Sequence, residues 1–369
     1  MNEQHPPKYK RLKLEILSWI ADELFKPHEK LPSENEIAKR FDMSRQTVRQ
    51  TLGELEREGW LYRRQGKGTF IAGAPEQVRP DVSEGMKIGM ITTYISDYIF
   101  PTIVRGVESA LRARGARLLL ASTDNEKNKE RDSLESMLRE PLSGLIIEPT
   151  RSAEGNPNFP YFLALESQNI PYVMINERYA DVDAPCLRVD DEAGGCLATE
   201  HLIGLGHERI VGLFKIDDYQ GVHRMRGFRR AHREHGLPLA PEHLIRYTTE
   251  EKEGLPAEAL AALLAAEPGQ RPTAIVCYND QLAVRLLDVI RGQGLTVPMD
   301  LSIVGFDDST LATATEVKLT SIAHPKTKMG EDAVQLLMGL IEERGARLPG
   351  EDRVYAPQLI IRQSTRRRG

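Results

Sequence analysis

From Lys87 onward the sequence repeats one pattern. Apolar runs such as KIGMITTYI, ARLLLAST, SGLIIEPT, PYVMINE, RIVGLFK, TAIVCYND and LSIVGFDD each end in a polar cluster, and helical patterns such as Thr102 to Arg114 and Asp280 to Gln293 separate them. A run that is apolar throughout must be covered on both faces, which calls for parallel strands with helices on either side of the sheet. Residues 86–369 are too many for one ordinary doubly wound sheet, so the pattern predicts two α/β lobes with a cleft between them. The polar clusters fall at strand C-termini, where such sheets bind ligands.

The first 73 residues read differently. Leu12, Ile16, Ile20 and Leu24 have helical spacing and predict an amphipathic first helix. Ser33 to Glu36 has the S-x-x-E form of a capping box and starts a second short helix. Asp42 and Met43 form a turn, Ser44 caps a third helix with Val48, Leu52 and Leu55 on its inner face, and Gly59 stops it. WLYRRQGKGTFIA then alternates about Gly66 and Gly68 as a small hairpin does. APEQVRPDVSEG, residues 74–85, has the proline and charge content of a linker.

Charge divides along the same boundary. The whole chain carries −5, yet residues 1–73 hold 14 Lys and Arg against 11 Asp and Glu, while the remainder holds 35 against 43. Only the first segment leans basic, as a phosphate-backbone partner requires. The three cysteines, Cys186, Cys196 and Cys277, have no metal-ligand spacing, and no apolar stretch is long enough for a membrane span or a signal peptide. A cytoplasmic protein without membrane association is expected. The final RQSTRRRG reads as a solvated basic end.

Two short helices joined by a tight turn match a helix-turn-helix, in which the second helix enters the major groove N-terminus first. There Arg45, Gln46 and Arg49 project outward and can pair with base edges, while Ser44 and Thr47 can hold phosphate. The hairpin would be a wing, with Lys67 adding charge. The surface expected to receive this segment is duplex DNA.

LPSENEIAKRFDMSRQTVRQTLGELEREGWLYRRQGKGTFI also resembles the GntR family of winged helix-turn-helix regulators, across Lys8 to Ala72. That resemblance implies DNA-facing roles for Lys8, Glu34, Arg45, Gln46, Thr47, Arg49, Gln65, Gly66, Lys67 and Gly68. Glu34, a carboxylate, would either accept from a cytosine N4 or orient an arginine.

In the cleft, Asn279 and Asp280 end one strand and Asp307 and Asp308 another. With Arg224, they are groups able to make paired hydrogen bonds to adjacent hydroxyls, and Tyr94, Tyr98 and Phe100 could offer a flat face to a sugar ring. HLIGLGHERIVGL, RMRGFRRAH, TAIVCYNDQLAV, LSIVGFDDS and LTSIAHPKTKMGEDAVQLL resemble, in order, the LacI-type effector domain, itself similar to periplasmic sugar-binding proteins. By that resemblance Arg224, Asn279 and Asp307 contact the effector. ITTYISDYIFPTIVRGVES and LIIEPTRSA further resemble the arabinose-responsive repressors, a GntR head on a LacI-type sensor, which adds Tyr98, Glu148 and Arg151 and implies L-arabinose as the ligand that releases DNA. The resemblance also implies a homodimer on a near-palindromic operator. The LacI-type head and hinge helix have no counterpart, so minor-groove insertion by a hinge is not carried over.

The pairs Asp190 and Asp191, Asp217 and Asp218, and Asp307 and Asp308 set no metal geometry, because strand neighbours point to opposite faces. No P-loop, H-E-x-x-H or G-x-S-x-G motif is present. The expectation is therefore a repressor with no catalytic residues, metal or cofactor. A regulator of the same design answering to another sugar or a purine, or a DNA-tethered sugar-processing enzyme, are the alternatives.

Overall fold

The computed structural model describes residues 8–21, 24–26, 28–57, 60–64, 67–72, 85–342 and 352–368. The head comprises α1 (Lys8–Ala21), α2 (Glu34–Arg40), α3 (Arg45–Arg57) and a hairpin of β1 (Leu61–Arg64) and β2 (Gly68–Ile71). The capping box forms: Ser33 Oγ accepts from Glu36 N at 3.3 Å, and Ser33 N donates back to the Glu36 carboxylate at 2.7 Å. Asp42 turns the chain at φ 49°, and Ser44 Oγ then accepts from Thr47 N at 3.1 Å, capping α3. Leu12, Ile16, Trp19, Ile37, Val48, Leu52, Leu55, Leu61 and Ile71 form one core. Leu24 does not join it. The helix ends at Ala21, Leu24 is 63% exposed, and Trp19 fills the core instead, against Phe25 and Phe41. The expected helix stop at Gly59, and Gly66 of the turn, lie outside the described residues, as does all of the proposed linker but Gly85.

The sensor's first lobe alternates β3 (Lys87–Thr92), α4 (Phe100–Arg112), β4 (Arg117–Ser122), α5 (Lys127–Met137), β5 (Gly144–Ile147), α6 (Phe159–Ser167), β6 (Tyr172–Ile175) and β7 (Cys186–Val189). The chain then crosses to a second lobe. It is built from α7 (Asp191–Gly204), β8 (Ile210–Lys215), α8 (Tyr219–Glu234), β9 (Leu244–Tyr247), α9 (Leu255–Leu264), β10 (Ala274–Cys277), α10 (Asp280–Gly292), β11 (Ser302–Asp307), α11 (Thr310–Ala314) and β12 (Thr320–Ala323). A second crossing returns α12 (Lys326–Glu342) and β13 (Arg353–Tyr355) to the first lobe, and a third places β14 (Leu359–Ile360) in the second.

The resulting sheets are ordered β13-β7-β6-β5-β3-β4 and β14-β12-β11-β10-β8-β9. Their ladders are parallel except where β14 runs antiparallel to β12. β5, β6, β10 and β11 are buried along their whole length, which explains their unbroken apolar runs.

The basic end is not solvated. Ser364 is fully buried, its Oγ donating to Ile303 O at 2.6 Å and accepting from Thr320 N at 2.8 Å, while Arg368 N donates to Leu205 O at 2.8 Å. Backbone hydrogen bonds and the Arg362 side chain, paired with Asp308, hold this segment to the second lobe, while Gln363 and Arg366 to Arg368 stand exposed.

Candidate functional site

Arg45, Gln46 and Arg49 stand exposed on the first turns of α3, with Val48 buried behind them. Glu34, at the start of α2, collects their guanidinium groups: Arg49 Nη2 lies 2.9 Å and Arg45 Nε 3.4 Å from Oε2, and Arg63 of the wing lies 3.6 Å from Oε1. The Arg49 hydrogen bond, set against a smaller cost of burial, holds the Glu34 carboxyl below its ordinary range. Of the two roles open to Glu34, orienting arginines is the one its contacts match. Ser44 and Thr47 hydroxyls lie 2.8 Å apart at the same helix end. Lys67 is exposed at the wing tip, and Gly68 takes φ 118°, a conformation that side chains resist. Arg64 lies over the stacked rings of Tyr62 and Phe70, 5.6 and 5.8 Å from their centres. Lys8 is described only as the first residue of α1, and Gln65 and Gly66 lie outside the described residues.

Between the lobes is a cleft partly open to solvent, and all six expected ligand residues line it. Four of them meet. Arg224, on α8, donates Nε to Asp191 at 2.7 Å, Nη1 to Tyr278 O at 2.7 Å and Nη2 to Asp307 at 3.2 Å, with its guanidinium 3.6 Å from the centre of the Phe306 ring. Burial opposes its charge, and the carboxylates of Asp191 and Asp307 more than offset this, holding it above its ordinary range. Tyr98, from the first lobe, donates its hydroxyl to Asp307 at 2.7 Å and accepts from Asp280 N at 3.1 Å. Asn279 caps α10 by accepting from Leu282 N at 2.9 Å, which leaves its amide NH2 for the cleft.

Glu148 belongs to a second cluster. Its carboxylate accepts from Thr93 N at 2.9 Å and from Asn176 Nδ2 at 2.7 Å, and burial raises its pKa. With its NH2 so engaged, Asn176 turns its oxygen to His324 Nε2 at 2.9 Å, which places the imidazole proton on Nε2. His324 Nδ1 is then a buried acceptor facing no donor among the described residues, and burial lowers the ring's pKa to about 4. Tyr98, Arg151, Asn176 and Asp307 all have positive φ, between 43° and 89°. Such backbone strain collects at ligand sites. Arg151 stands apart from both clusters at the rim, donating Nε to Asn125 O at 3.0 Å and pairing with Glu250.

The aspartate pairs divide their work. Asp190 caps α7 while Asp191 meets Arg224, and Asp218 caps α8 while both Asp217 and Asp218 pair with Lys215, at 3.2 and 2.9 Å. Cys196, Glu200 and Glu234 also approach one another, but the Arg230 guanidinium lies 3.7 Å from Glu234 and repels a cation there. No helix among the described residues is long and apolar enough to cross a membrane.

Residues 8–71 match the bacterial regulatory proteins of the gntR family, and residues 199–365 the periplasmic binding protein-like domain. An arabinose metabolism transcriptional repressor from Geobacillus stearothermophilus is 58% identical over 366 residues, covering 99% of this chain and 100% of its own. The chain belongs to the GntR/LacI family of transcriptional repressors. A repressor of the same name from Halalkalibacterium halodurans is 48% identical over 97% of this chain and 96% of its own. Among solved structures, a LacI family regulator from Enterococcus faecium with bound ribose superposes with TM-score 0.65 at 25% identity, over 77% of this repressor and 100% of that chain.

This GntR/LacI repressor is a transcription factor. Sequence reasoning missed Asn176, Asp191 and His324 in its cleft. Asp191 was weighed only as half of a metal-like pair, and His324 follows a strand directly in SIAHP, the position that had marked Asn279 and Asp307.

Proposed function

We propose that the effector of this repressor is L-arabinose, bound in the interlobe cleft through Tyr98, Glu148, Arg224, Asn279 and Asp307, and that its binding releases operator DNA. The end-to-end likeness to two repressors named for arabinose metabolism carries this reading. The cleft chemistry suits it: Arg224, Lys215 and Arg151 each face carboxylates, so these cations are already neutralised and the site favours a neutral polyol over a phosphate. In this reading residues 1–73 bind DNA, 74–85 connect, and 86–369 sense sugar and form the homodimer. Lys8, Ser44, Arg45, Gln46, Thr47, Arg49 and residues 65–68 face the operator, with Glu34 setting the arginines. Sugar shifts the equilibrium only by its preference for one lobe arrangement, so release requires it to prefer the one that DNA disfavours.

The test is calorimetric titration of the full chain with L-arabinose, D-xylose, D-ribose and D-galactose, followed by operator binding with each sugar present. Saturable binding of L-arabinose that lowers operator affinity is expected. The ribose-bound relative makes D-ribose the second reading, and a response to ribose alone would replace arabinose with it.

A further inference from the structure

The lobes are joined at one edge and touch again at the other. The crossings leave β7, β12 and β13, which with β14 lie at one end of the two sheets, whereas β4 and β9 are the opposite edge strands. β4 lies four strand positions from β7, and β9 four from β12, so the far rim stands roughly 19 Å from the crossings at about 4.8 Å per strand. A contact at that distance must break when the lobes part, whereas one beside the crossings can persist.

The far rim carries a continuous polar chain. Asn125, after β4, donates Nδ2 to Thr249 Oγ1, after β9, at 2.7 Å; the same hydroxyl donates to Asp217 at 2.5 Å. Arg151 binds Asn125 O within its own lobe and reaches across to the Glu250 carboxylate. Nearer the crossings, after the inner strands β5 and β8, Tyr219 N donates to Ser152 Oγ at 2.9 Å, and Ala153 N to Asp217 O at 3.2 Å. The Arg151 side chain is 19% exposed and that of Glu250 60%, so water can replace the pair as it opens.

We infer that Asn125, Arg151, Thr249 and Glu250 form a latch across the cleft mouth, and that Arg151 governs sugar retention through Glu250 more than by touching the sugar. Glu250 is then a positioning residue. The inference rests on the cleft being the sugar site, and its test separates the two.

In the full chain, Glu250→Gln and Thr249→Val each interrupt the latch at a different link. Spin labels on α5 and α9 report the interlobe distance without sugar, and stopped-flow mixing reports release of L-arabinose. Both variants are expected to shift the sugar-free distances longer than wild type. Glu250→Gln should also release sugar about two- to fivefold faster, as fits an exposed ion pair. Identical distances and release rates in wild type and both variants would overturn the latch while leaving the effector reading intact. If wild type binds no L-arabinose, the effector reading fails, and the sugar-free distances alone decide the latch: longer in the variants supports it, unchanged refutes it.

Discussion

Arg224 keeps its charge in a buried site because Asp191 and Asp307 meet it there and the Phe306 face covers it. Arg224→Ala would leave two buried carboxylates without their cation, a change that costs about 3–5 kcal/mol when one partner of a buried pair is removed. Denaturant unfolding should show that loss, and a variant as stable as wild type would mean that the carboxylates are neutral in the fold. Loss of the sugar response in Arg224→Ala would therefore not by itself mark a ligand contact. Asn279 and Asp307 were legible in the sequence as strand ends, though the meeting of Tyr98 with Asp307 was not, and Arg224 was legible as a group able to pair with hydroxyls. The partner Asp191 was not, because it lies 33 positions away, on the neighbouring helix. Glu34 was legible only as a choice between two roles, since the three guanidinium groups around it come from α3 and β1, elements other than its own.

At the level of elements, the sugar cleft depends on how closely α7 and α8 approach. A Cβ at Gly195 would stand 2.2 Å from Arg224 O, and one at Gly227 2.0 Å from Glu192 O, so the two backbones touch where Arg224 is mounted. Gly195→Ala should push the helices apart, costing about 1–3 kcal/mol as overpacking does, and weaken L-arabinose binding by moving Arg224. Gly204→Ala on the same helix meets nothing within 4 Å and should leave both unchanged. Equal effects of the two substitutions would show that helix propensity, not the close crossing, sets the outcome. Strands β3 to β6, β8, β10 and β11, the capping box and the α3 cap were readable because local patterns determine them, whereas the short β7, β9, β13 and β14 carry no such run. Helix crossings depend on small residues that meet only after folding, and a lone glycine in a helical pattern does not name its partner.

Over the whole molecule, the misread basic end shows where composition misleads. RQSTRRRG looks hydrophilic, yet Arg362, Ser364, Thr365 and a set of backbone bonds bind it to β11, β12 and α7. Deleting residues 362–369 should lower the melting temperature of the full chain and abolish sugar binding; an unchanged melt would return the segment to a free end. The two-lobed plan followed from the number of strand and helix repeats, but not the three crossings, because sequence does not say which sheet a strand joins. Those crossings also order events during synthesis. The head is complete once β2 has emerged, whereas β13 must be added to the first lobe and β14 to the second before either sheet is whole. A growing chain therefore presents a DNA-reading surface well before it has a finished sensor, and its ability to answer sugar arrives in both lobes almost at once, with the last strands translated.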